Sequence, residues 1–70
     1  MQLKINGENK NFVPAPVNLE QVLDTLGYLQ EESPRFVVAY NQTLVNADEY
    51  LKTTVYEGDS IDVLSVITGG

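Results

Sequence analysis

The absence of cysteine constrains this sequence most tightly: seventy residues with no disulfide and no thiolate-bound metal must close around a single apolar core. A chain that short hides only about 60% of the surface of its unfolded form, so every element has to serve the same core. With 43% hydrophobic residues and no low-complexity stretch, the composition suits one folded unit, and a single domain over 1–70 in two layers is expected. Histidine is absent too. That removes the commonest general base and metal ligand, together with every Ser-His or Cys-His nucleophile pair. No metal site and no catalytic side-chain constellation are expected.

Four basic against ten acidic residues give a net charge of -6. Such a surface repels phosphate backbones, which argues against nucleic acid or an anionic membrane as a partner. No window approaches the roughly 18 apolar residues of a membrane span, and Met1 opens directly into a strand pattern, so a cytoplasmic protein is expected.

Met1 to Ile5 alternates apolar and polar residues and runs into Asn6-Gly7, the strongest short-range signal for a tight hairpin. The returning strand ends near Phe12-Val13. A two-residue turn sets Phe12 opposite Met1 on the core face, whereas a bulged loop favours Val13, and alternation alone leaves both registers open. Pro14 and Pro16 stop this strand, since neither has a ladder donor. Asn18 then reads as a helix N-cap with Gln21 as its capping-box partner. Leu19, Val22, Leu23 and Leu26 form one apolar stripe, and Gly27 supplies a C-cap.

From Tyr28 to Arg35 the chain reads as a connecting loop. Phe36 to Tyr40 is a β-branched and aromatic run, closed by Asn41-Gln42, with Leu44-Val45 as a short returning strand. Ala47 to Tyr50 is too short for a stable helix alone, Leu51 to Tyr56 is moderately strand-like, and Glu57-Gly58-Asp59 is a turn. Ser60 to Ile67 is the last strand and leads directly into Thr68-Gly69-Gly70, expected to be a flexible tail over 67–70. A hairpin, a helix and further strands suit an α+β mixed sheet with one helix packed on one face. The first and last strands then pair in parallel through a right-handed crossover. That arrangement is a β-grasp.

Met1 to Glu8, the Leu19-x-x-Val22-Leu23-x-x-Leu26-Gly27 helix, Ala39-Tyr40-Asn41-Gln42, Glu57-Gly58-Asp59 and the final Gly-Gly together resemble the ThiS family, the sulfur carriers of thiamin biosynthesis. The resemblance covers essentially the whole chain, although most of its motifs report the fold. It implies a ubiquitin-like β-grasp whose C-terminal glycine carboxylate is adenylated with ATP by a ThiF-type E1-like enzyme and converted to a thiocarboxylate. It also implies a sulfur donor such as a cysteine desulfurase and delivery to a ThiG-type thiazole synthase. The carrier would hold no cofactor of its own. The small subunit of molybdopterin synthase (MoaD) shares fold and tail but often has prolines just before the last glycines. Here Ser65-Val66-Ile67-Thr68 fills that stretch, which favours the thiamin-type reading. A ubiquitin-like protein modifier is the other use of such a tail.

On this reading Gly70 carries the reacting carboxylate, and Gly69, Thr68 and Ile67 are what an enzyme recognises. Two glycines make a thin arm without a Cβ to clash in a closed active site, and main-chain pairing can hold it. A docking patch is expected from strand alternation. With Ile61 and Val63 facing the helix, Leu64 and Val66 point to the opposite face. With Val37 and Ala39 also inward, Val38 and Tyr40 join them there. The protein is then a carrier and substrate of other enzymes rather than an enzyme.

Overall fold

The computed structural model describes residues 1–30 and 36–65. Among the described residues five strands form one mixed sheet: β1 (Gln2–Ile5), β2 (Glu8–Asn11), β3 (Phe36–Tyr40), β4 (Thr43–Val45) and β5 (Ser60–Ser65), in the spatial order β2-β1-β5-β3-β4. One helix, α1 (Leu19–Thr25), covers one face, and 3₁₀ turns occur at Tyr28–Gln30 and Ala47–Lys52. The first and last strands pair in parallel, with Lys4 opposite Ser60 and Ile5 opposite Ile61, as the expected crossover requires.

The hairpin takes the two-residue turn. Gln2 pairs with Asn11 and Ile5 with Glu8, and the Phe12 N–H donates to the Met1 carbonyl at 2.7 Å. Asn6 and Gly7 both sit at positive φ, +50° and +83°, the conformation that lets a two-residue loop follow the twist of its strands. Phe12 is consequently buried at 6% exposure while Val13 is left at 83%.

Asn18 caps α1 as expected, its Oδ1 accepting from the Gln21 N–H at 2.9 Å. The Gln21 side chain reaches one residue further back than a capping box does and accepts from the Val17 N–H at 2.8 Å. Leu19, Val22 and Leu23 are fully buried, Leu26 packs against the core, and Gly27 ends the helix at φ +90°. Their partners across the layer are Leu3, Ile5, Val38, Ile61 and Val63. Side chains of this kind contribute about 1.5–3 kcal/mol each on full burial.

Two local expectations change. Leu51 to Tyr56 does not form a strand. Ala47–Lys52 winds as a 3₁₀ turn that buries Tyr50, and the following segment makes one isolated bridge, Thr54 to Asn18, before Val55 enters the core. Within the loop expected from 28 to 35, Tyr28–Gln30 forms a 3₁₀ turn whose Tyr28 and Leu29 pack on the core. Residues 31–35 lie outside the described residues, as do Val66 to Gly70.

Candidate functional site

The strand that leads to the glycine arm occupies the centre of the sheet. β5 is bonded to β1 on one side and antiparallel to β3 on the other, with register pairs running from Tyr40–Ile61 to Phe36–Ser65. Side chains reinforce the ladder: the Val63 N–H donates to Asn6 Oδ1 at 2.7 Å, and the Asn6 N–H donates to the Ile61 carbonyl at 2.9 Å. The strand that precedes the arm in sequence is thus paired on both sides. Gly70, Gly69, Thr68, Ile67 and Val66 themselves lie outside the described residues.

Ile61 and Val63 face the helix, as alternation predicts, and Leu64 faces the opposite way at 55% exposure. The expectation for β3 was inverted. Val38 is fully buried and Val37 is on the outer face, because directly opposed residues of an antiparallel pair share a face: Val38 pairs with Val63, and Val37 with Leu64. Tyr40 follows Val38, opposite Ile61, and packs against the core. Val38 and Tyr40 thus leave the expected patch. Val37 takes their place, joined by Leu44, which stands 71% exposed beside Ala39. Val37, Leu44 and Leu64 form an apolar patch on the helix-free face. Phe36 to Tyr40 is apolar on both faces, so its own pattern carries no parity; only the register against Ile61 and Val63 does.

At the other end of β5, two motifs distant in sequence meet. The Tyr40 hydroxyl donates to Asp59 Oδ2 and lies 3.0 Å from the Thr54 carbonyl oxygen. Asp59 also accepts from the Tyr56 N–H at 2.8 Å and from the Asn41 side-chain amide at 3.3 Å, while Asn41 Oδ1 accepts from the Ser60 N–H at 2.9 Å. This clasp fixes the β3–β4 turn, in which Asn41 and Gln42 both have positive φ, against the first residue of β5. Burial, the Asp59 hydrogen bond and the Asp59 charge push the Tyr40 hydroxyl up to about 12. Burial acts to raise the Asp59 carboxyl, but the bonds from Tyr40, Tyr56 and Asn41 outweigh it and hold the group below its ordinary 3.8.

A depressed carboxyl stabilises the fold above its unfolded value and loses that contribution as pH falls through the folded one, so the Asp59 contribution fades below about pH 4. A raised phenol stabilises below its unfolded value of 10.0 and loses its contribution as pH climbs toward about 12. Asp59→Asn is expected to cost about 1 kcal/mol at pH 7, the difference between charged and neutral acceptors. The deficit against wild type should shrink toward zero in acid. Parallel urea titrations from pH 7 down to pH 2 check this, and the comparison cancels the acid response of the other carboxylates. A deficit that stays constant across that range would mean that the Asp59 charge does not act through the clasp.

Among the described residues, no group of three His, Cys, Asp or Glu side chains is placed to hold a metal ion. No helix among them is long and apolar enough to cross a membrane.

The ThiS family model matches residues 3–70 of the chain. A crystal structure of the thiamine biosynthesis protein ThiS from Geobacter metallireducens superimposes with a TM-score of 0.82 at 28% identity, covering all of both chains. The solution structure of a thiamine biosynthesis protein from the same organism gives 0.77 at 28% identity, covering all of this chain and 88% of that one. In sequence, the chain is 34% identical over its 70 residues to a thiazole synthase of Paramagnetospirillum magneticum. It spans only 20% of that protein's length.

Proposed function

The chain belongs to the ThiS family, and from that premise we propose that it carries sulfur for thiazole formation as a thiocarboxylate on Gly70. The observation that carries the reading is the family match running through the glycine arm itself, residues 3–70, on a β-grasp whose arm-bearing strand is central. A carboxylate has no leaving group, so activation must come first. An oxygen of the Gly70 carboxylate attacks the α-phosphate of ATP, an acyl-adenylate forms and pyrophosphate departs. The terminal sulfur of a persulfide on a donor such as a cysteine desulfurase then attacks the acyl carbon and AMP leaves; a second thiol cleaves the resulting acyl disulfide, is itself oxidised to a disulfide with the donor sulfur, and releases the thiocarboxylate.

A ThiF-type adenylating enzyme supplies the catalytic groups for these steps. The carrier contributes a reactive main-chain end and needs no catalytic side chain, in keeping with a sequence that lacks histidine and cysteine. Thr68 and Ile67 offer backbone and side-chain grip to the enzyme that closes over Gly69 and Gly70. Because activation consumes ATP, the proposed cycle belongs in the cytoplasm.

The acceptor in this reading is a ThiG-type thiazole synthase. The supporting fact is that a segment similar to this whole chain makes up a fifth of a protein named thiazole synthase. Joining two modules in one chain raises their effective concentration to the millimolar range, which is useful when both act in one sequence of steps. The patch of Val37, Leu44 and Leu64, with Val66 beyond it in sequence, is the proposed contact surface for these enzymes.

Isotope exchange between pyrophosphate and ATP tests the first step. With a ThiF-type enzyme, the intact chain should support exchange and a Gly70 deletion should reduce it to the enzyme-only background. Equal exchange from both would remove the Gly70 carboxylate from the reaction.

A further inference from the structure

We propose that the groove beside α1 takes an extended, basic segment of a partner protein, one with a lysine or arginine flanked by aliphatic side chains. The groove has a volume of about 450 Å3 and is lined by Asn18, Glu20, Gln21, Asp24, Leu29 and Leu51. Asn18, Gln21 and Asp24 fall on one stripe of the helix at spacings of three, opposite to the stripe of Leu19, Val22 and Leu23 that enters the core. Leu29, from the Tyr28–Gln30 turn, and Leu51, from the Ala47–Lys52 turn, add apolar surface beside it. Leu51 is held out at 66% exposure although the same turn buries Tyr50.

Chemistry selects the occupant. The carbonyl oxygens of Asn18 and Gln21 already accept from the Gln21 and Val17 N–H groups, so what these amides chiefly offer is their NH2 donors, suited to the carbonyls of an extended peptide. Glu20 and Asp24 supply negative charge, in a chain whose net charge is -6. Lysine and arginine lay aliphatic stems along apolar surface while the charged head reaches an acid, which matches leucines and carboxylates placed side by side. The groove lies on the helical side of the molecule and the patch of Val37, Leu44 and Leu64 on the other side of the sheet. The two surfaces can be occupied together, and the proposal stands independently of the sulfur chemistry.

The test titrates the 15N-labelled full chain with N-acetyl-Leu-Arg-Leu-amide and, separately, with N-acetyl-Leu-Glu-Leu-amide. The arginine peptide should shift amides at residues 18–24, 29 and 51, and the glutamate peptide should not. Asp24→Asn should weaken the arginine peptide about two- to five-fold, the range for one partly exposed ion pair. Asp24→Lys should transfer the preference to the glutamate peptide. Asp24 is exposed, so both variants should keep the wild-type circular dichroism. No shifts, equal response to both peptides, or shifts centred on Val37 and Leu64 would each overturn the proposal.

Discussion

Val38→Asp is expected to leave the chain unfolded at room temperature, whereas Val37→Asp leaves it folded. Val38 has no exposed surface and lies in the layer with Leu3, Ile61 and Val63. A carboxylate there forfeits about 1.5–3 kcal/mol of apolar burial and adds an effective desolvation penalty of several kcal/mol for an unpaired ion. Against a total stability of about 3.5–10 kcal/mol for a chain of this size, the sum removes most or all of what holds the chain folded. Val37, one residue earlier, is 39% exposed beside Leu64, and surface changes of that kind usually stay within about 0.5 kcal/mol. Thermal melts followed by circular dichroism read both variants. A folded Val38→Asp beside an unfolded Val37→Asp would reverse the assignment of faces on β3. Folded Val37→Asp should also lose on the order of ten-fold in activation by a ThiF-type enzyme, because a charge is placed within the proposed contact surface.

Gly69→Val is expected to lower the rate of adenylation on the order of 100-fold without changing the melting temperature. The proposed reaction requires the arm to thread a closed active site and bring the Gly70 carboxylate in line with the α-phosphate. A displacement of about 1 Å at the reacting atoms is enough to cost a factor of that size. Valine adds a branched Cβ and restricts the backbone just where a glycine allows close approach. The loss should fall on kcat as well as KM, since the defect is one of alignment as much as binding. Single-turnover formation of AMP with saturating enzyme separates the two, and an unchanged rate would mean that the clearance at Gly69 is not used.

The elements most legible in the sequence are those whose signals are local. Asn6-Gly7 fixes a hairpin, Asn18 caps a helix, and the stripe of Leu19, Val22 and Leu23 faces the core, because each depends on neighbours within one turn of chain. The β-grasp order followed from that succession and from the handedness of crossovers.

What stayed hidden depends on tertiary pairing. The run from Phe36 to Tyr40 has no polar face, so only contact with β5 decides that Val38 turns in and Val37 out. The choice between Phe12 and Val13 needed the register of β1 against β2. The 3₁₀ turn at Ala47–Lys52 exists because Tyr50 has a core to enter, something no six-residue window contains. The clasp of Tyr40, Asn41 and Asp59 joins residues 18–19 positions apart. Its parts were visible as two short motifs whose meeting could not be read from either. For the candidate site, the membership of the apolar patch had to wait for the register, and Gly69 and Gly70 lie outside the described residues.

The most direct test of the sulfur-carrier reading is the intact mass of the chain after incubation with a ThiF-type enzyme, ATP and a sulfur donor. The account predicts a gain equal to sulfur replacing one oxygen, located at Gly70 by fragmentation and absent from the Gly70 deletion. A chain that exchanges pyrophosphate but never acquires sulfur, and instead becomes linked through Gly70 to lysines of other proteins, would contradict it.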